Sequence, residues 1–154
     1  YMLLEPFASQ NIQQKLGELG VSVEKTLYLS DWVKSHLVLD LLPVRHKQEV
    51  AAAAKPYLNH FVGGHGLETV GHTALAARQG FDGVVQLLPF TCMPEIVAET
   101  MLPVMSHDLD LPILTLVLDE QSGEAGIVTR LEAFIDLMLR KREKWGKNTA
   151  WMPI

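Results

Sequence analysis

The only thiol in the chain, Cys92, sits in Pro89-Phe90-Thr91-Cys92-Met93-Pro94-Glu95, between an apolar run and a helical pattern. A sulfur at such a strand-to-helix turn lies beside free backbone N–H groups and the positive end of a helix dipole. That setting favours thiolate, and with it a nucleophile or a metal ligand. The competing reading is a small buried hydrophobe, since free cysteine is among the most buried residue types. A second cluster, Asp119-Glu120-Gln121-Ser122-Gly123-Glu124, places three carboxylates in six residues after a strand. Paired carboxylates do acid–base work or hold a cation, and they also cap a following helix. Arg130, one turn further on, is placed to pair with one of them. The third group is Gly63-Gly64-His65-Gly66, a glycine-rich entry to a helix whose N–H groups could cradle a phosphate. It has neither the GxGxxG nor the GxxxxGK[ST] spacing, and it follows no clear strand. His60, His65 and His72 lack the HExxH spacing of a helical zinc site, and no nucleophile elbow is present.

Elements that could hold these groups follow from hydrophobic periodicity. Short apolar runs alternate with helical patterns, as in βαβ units around a parallel sheet. Residues 1–5 and 21–29 read as strands, and residues 83–88 (GVVQLL) and 112–118 (PILTLVL) as central strands covered on both faces. Helices are expected after Ser9 and Asn11, ending at Gly20, and from Ser30 to Pro43. Others are expected over 45–59 with Pro56 ending or kinking it, from Leu67 to Gly80, from Pro94 with Pro103 bending or ending it, and over 125–143. The fold class is therefore α/β, a Rossmann-like three-layer domain with a mainly parallel sheet of about four strands. Residues 1–143 form one such domain, and residues 144–154 a C-terminal tail. In such a sheet ligands bind beyond the carboxyl ends of the strands. This selects the loops 5–9, 29–31, 89–94 and 119–126.

Composition bounds the chemistry. The 154 residues are 48% hydrophobic and 20% charged, with mean hydropathy +0.14, enough apolar material for a core. A net charge of −5 argues against a non-specific nucleic-acid surface. The basic cluster Arg140, Lys141, Arg142, Lys144 and Lys147 belongs to a helix C-terminus, where cations oppose the dipole. No run of apolar residues is long enough to span a bilayer, and no signal-peptide pattern leads the chain, so a cytoplasmic location is expected. One cysteine excludes an internal disulfide and any site built wholly from this chain's thiolates. The opening apolar run, without an initiator Met, reads as a fragment of a longer protein.

Four segments carry a family resemblance: YMLLEPFASQNIQQKLGELG (1–20), GGHGLETVG (63–71), GFDGVVQLLPFTCMPEIVAE (80–99) and LPILTLVLDEQSGEAGIVTRLEAFIDL (111–137). Together they resemble the C-terminal domain of the 2-hydroxyacyl-CoA dehydratase-like proteins. Within that group they are most similar to the CoA-substrate-specific enzyme activases, the activators of (R)-2-hydroxyglutaryl-CoA dehydratase. The resemblance implies a Rossmann-like domain of a multidomain protein from a bacterium living largely without oxygen. It also implies an iron–sulfur cluster held by cysteines from separate domains, fed with low-potential electrons by a partner ATPase. Cys92 is the position here that matches such a metal ligand. No ATPase phosphate motif accompanies it, so the domain alone is expected to be inactive, its parent being a dehydratase component or an activase. Gly63, Gly64, His65, Gly66, Thr91, Glu95, Glu120 and Glu124 are the candidates for lining the cluster or a CoA site. Expected partners are the upstream domains of the same chain and a dehydratase or ATPase, with no nucleic acid and no membrane. Two other readings stay open: an interaction or regulatory domain, and a CoA- or nucleotide-phosphate-binding domain.

Overall fold

The computed structural model describes residues 5–26 and 45–144. Elements run in the order α1 (Ile12–Glu18), α2 (Arg45–Ala54), α3 (Gly66–Gln79), β1 (Val84–Pro89), α4 (Met93–Asp108), β2 (Ile113–Leu118) and α5 (Glu124–Lys144). β1 and β2 pair in parallel, with Val84 opposite Ile113 and Pro89 opposite Leu118. Parallel neighbours need a crossover, which α4 supplies. The ladder continues past the strand end, where Phe90 N donates to Leu118 O at 3.0 Å.

Strand alternation divides the two cores. Val85, Leu87, Leu114, Leu116 and Leu118 share one face and pack with Ile12 and Leu16 of α1 and Ile127, Leu131 and Ile135 of α5. On the other face Ile113 joins a core built from α2, α3 and α4, with Val50, Ala54, Val70, Ala74, Ala98, Leu102 and Met105 at its centre. The domain is thus mixed α/β with helices on both faces of a parallel sheet, the Rossmann-like three-layer arrangement expected.

Several differences from the sequence expectations have physical reasons. Among the described residues the sheet has two strands. Residues 1–4 of the expected first strand, residues 27–29 of the second, the helix from Ser30 to Pro43 and the tail from 145 lie outside them. The described part of the second, residues 21–26, is not in a strand, although Val21 and Val23 pack on the α1–α5 core. Helix α2 stops at Ala54, two residues before Pro56, as an α conformation is disfavoured just ahead of proline. Pro103 neither ends α4 nor interrupts it: the helix continues to Asp108. Pro103 lies on the exposed side while Leu102 and Met105 are fully buried, so burial on both sides offsets one missing N–H. Gly80 ends α3 in the left-handed conformation (φ 82°), where its lack of a Cβ is used.

Candidate functional site

β1 delivers the chain to the cysteine turn through a strained residue. Thr91 adopts φ 66°, a left-handed conformation that costs a β-branched side chain about 1–3 kcal/mol. Cys92 follows as the N-cap of α4, its N–H bonded to Pro89 O at 3.0 Å and its carbonyl accepting from Ile96 N. The thiol is free and half-buried and makes no capping hydrogen bond. On either side of it Phe90 and Met93 stand 65% and 67% exposed. The sequence placed a sulfur at a helix N-terminus beyond the carboxyl end of a central strand, and it is found there.

The glycine-rich loop comes to the same place. Gly63 and Gly64 have φ 86° and 46°, and a Cβ on Gly64 would lie 3.0 Å from Pro94 Cγ. A Cβ on Gly66 would lie 2.3 Å from Pro94 O. These glycines therefore allow the start of α3 to pack directly on the first turn of α4. The approach accounts for Gly64 and Gly66, whereas at Gly63 a Cβ would stand at an ordinary 3.7 Å and the positive φ is what favours glycine. His65 occupies the N-cap of α3 and is exposed.

Beneath both loops lies a buried polar network that the residue spacing did not reveal. Glu95 is only 8% exposed. Its Oε1 accepts from Thr69 Oγ1 at 2.8 Å and its Oε2 from Gln86 Nε2 at 2.9 Å. Gln86 Nε2 also lies 3.2 Å from Glu95 O, and Gln86 Oε1 accepts from Thr115 Oγ1 at 2.9 Å. One network thereby ties α3, α4 and both strands together. The signal was present: Gln86 interrupts an apolar strand, and a polar side chain in a strand covered on both faces needs a buried partner.

The acidic loop leaves the sheet beside the cysteine turn but is engaged elsewhere. Asp119 Oδ1 accepts from Ser122 Oγ at 2.7 Å and from Gln121 N at 2.9 Å, and the Ser122 hydroxyl chiefly holds this carboxyl below its ordinary pKa. Glu124 pairs with Lys15 of α1 at 3.0 Å, and Gln10 Nε2 donates to Ser122 O. Glu120 is exposed. Arg130 does not serve these acids as expected. Its Nη2 donates to Thr115 O at 2.9 Å, filling an edge carbonyl of β2. At the opposite end of the sheet the basic end of α5 is tied down by Lys141–Asp110 and Arg142–Asp82 ion pairs. The structure thus unites Gly63, Gly64, Gly66, Thr91, Cys92 and Glu95 in two touching loops, while Glu124 is directed to α1.

Among the described residues no group of three or more His, Cys, Asp or Glu side chains could hold a metal ion. Cys92 is a free cysteine, half-buried at the turn. No helix among the described residues is long and apolar enough to cross a membrane. Compared with protein-family models, curated proteins and solved structures, the chain matches none.

Proposed function

We propose that this chain is one domain of an iron–sulfur redox protein related to 2-hydroxyacyl-CoA dehydratase or its activator, giving Cys92 to a cluster completed by cysteines outside it. The resemblance of the PFTCMPE and DEQSGEAG segments motivates the reading. The observation that carries it is the cysteine turn: Cys92 stands at the N-cap of α4 just past the end of β1, its thiol free, half-buried and without a capping hydrogen bond. Such a cluster supplies one-electron transfer at low potential. The chain's own part is to present the sulfur at the turn from β1 into α4 and to offer apolar Phe90 and Met93 to the surface that closes over it. Upstream domains of the same chain would bring the other ligands, and an ATPase or dehydratase would be the electron partner. A reducing cytoplasm suits thiolate ligation.

The test is metal analysis of the full-length protein purified without oxygen. Iron and sulfide should be present, and Cys92→Ser should lose much of both. Unchanged iron in Cys92→Ser would leave an interaction or regulatory domain as the better reading.

A further inference from the structure

The register of the ladder decides which main-chain groups of β2 are left for a neighbour. Val84 N donates to Pro112 O and Phe90 N to Leu118 O, so residues 112, 114, 116 and 118 turn their main-chain groups to β1, and Ile113, Thr115 and Val117 turn theirs outward. Two of these three outward carbonyls meet side chains. Arg130 Nη2 donates to Thr115 O at 2.9 Å, and Ser122 Oγ lies 3.3 Å from Val117 O.

The surface around this edge is otherwise suited to another strand. Val117 is 39% exposed, and Leu137, seven residues past Arg130 and so on the same flank of α5, is 54% exposed. A groove of about 380 Å³ runs between α4 and the edge, lined in part by Leu102, Pro103, Ile113 and Thr115. From Ile113 to Leu118 the strand carries no charge and is made of leucine and β-branched residues. Open edges of this kind template strand addition, and natural sheets close them with a charge or a covering side chain. α4 and α5 lie on opposite faces of the sheet, so a right-handed connection through α5 leads back past β1 and brings no further parallel strand outside β2.

We propose that Arg130 locks the outer edge of β2 against the same strand of a second copy of this chain. About a two-fold axis at Thr115 the strand is its own antiparallel complement: Thr115 would face its counterpart and Ile113 would face Val117, through the outward groups. That pairing needs the Thr115 carbonyl that Arg130 holds. It would also bring the two guanidinium groups together at the join, where like charges oppose each other.

Arg130 is exposed, so Arg130→Ala should keep the circular dichroism of wild type while it frees the edge. In sedimentation equilibrium the mass of this variant should rise with concentration towards twice that of wild type, and fall again on dilution. In hydrogen exchange read by NMR, the amides of Thr115 and Val117 should slow as concentration rises. Adding Val117→Lys, which puts a charge at an exposed edge position, should return both readings to wild type. An Arg130→Ala chain whose mass matches wild type at every concentration overturns the proposal. Association that leaves the two amides unchanged, or that survives Val117→Lys, overturns it as well, because another surface then carries the contact.

Discussion

Replacing Gly66 by alanine tests whether the glycine loop exists for its contact with the cysteine turn. The new Cβ would lie 2.3 Å from Pro94 O and 3.0 Å from Pro94 C and from Val62 Cγ2, against an ordinary contact of 3.4 Å or more. Roughly 1 Å must be recovered, and the obstacle is a main-chain carbonyl in the first turn of α4, between Cys92 and Glu95. Overpacking typically costs about 1–3 kcal/mol, and an unyielding backbone puts this site near the upper end. Alanine returns at most about 1 kcal/mol of helix propensity at the first position of α3. The net loss is about 2 kcal/mol, or about 4–8 °C in thermal midpoint for a chain of this size. Gly17→Ala is the control, since Gly17 lies within α1 and nothing stands within 4 Å of its Cβ position. That variant should gain up to about 1 kcal/mol. Thermal and urea unfolding followed by far-UV circular dichroism reads both. Equal stabilisation by the two alanines would refute the close approach of α3 to α4.

Leu131 is fully buried between α5, α1 and the sheet, so Leu131→Ala should cost about 2–5 kcal/mol in urea unfolding, whereas Leu137→Ala, 54% exposed on the same helix, should stay within about 0.5 kcal/mol. Equal midpoints for the two would mean that α5 packs by another face. Asp119 should titrate below the ordinary carboxylate value in an NMR pH series, and Ser122→Ala should move it back up, since the serine hydroxyl is the main cause of the depression. A carboxyl depressed in the folded state adds stability above its unfolded pKa and loses it as pH falls through the folded one. With Asp119 fully exposed the accompanying change in acid stability is slight. An unmoved titration in Ser122→Ala would contradict the turn geometry.

Strongly periodic elements were the legible part of the fold. The repeat of Leu131, Phe134, Ile135 and Met138 placed α5 to within a residue, and PILTLVL placed β2, because each pattern states which face is buried. Gly80 and Pro94 marked their helix ends because backbone sterics act locally. Of the two outcomes expected at Pro103, a bend or an end, the end does not occur: the burial of Leu102 and Met105 carries α4 through it. Residues 21–26 alternate like a strand without joining one, since alternation reports a buried side and says nothing of a hydrogen-bonding neighbour. Within the site, Cys92 and the glycine loop were each visible as motifs. Their meeting at Pro94 was not, because it depends on how α3 packs against α4.

That meeting bears on how the loops should be read. Taken separately, a glycine-rich helix entry suggests an anion and a helix-capping cysteine suggests a metal or a nucleophile. Packed together, they are one structure in which the glycines let α3 approach and the cysteine turn is what they approach. Its foundation is a carboxylate buried among neutral donors, an arrangement that apolar side chains of similar volume would often match in stability. What apolar packing would not supply is direction. Thr69, Gln86 and Thr115 specify one orientation of Glu95, and Glu95 specifies one position for the first turn of α4. A strained Thr91 then turns the chain so that Cys92 begins that helix. Strain and buried polarity both cost stability, and both lie within three residues of the same sulfur. The two coincide at the cysteine turn, whereas the acidic loop is tied to α1 through Glu124 and Lys15.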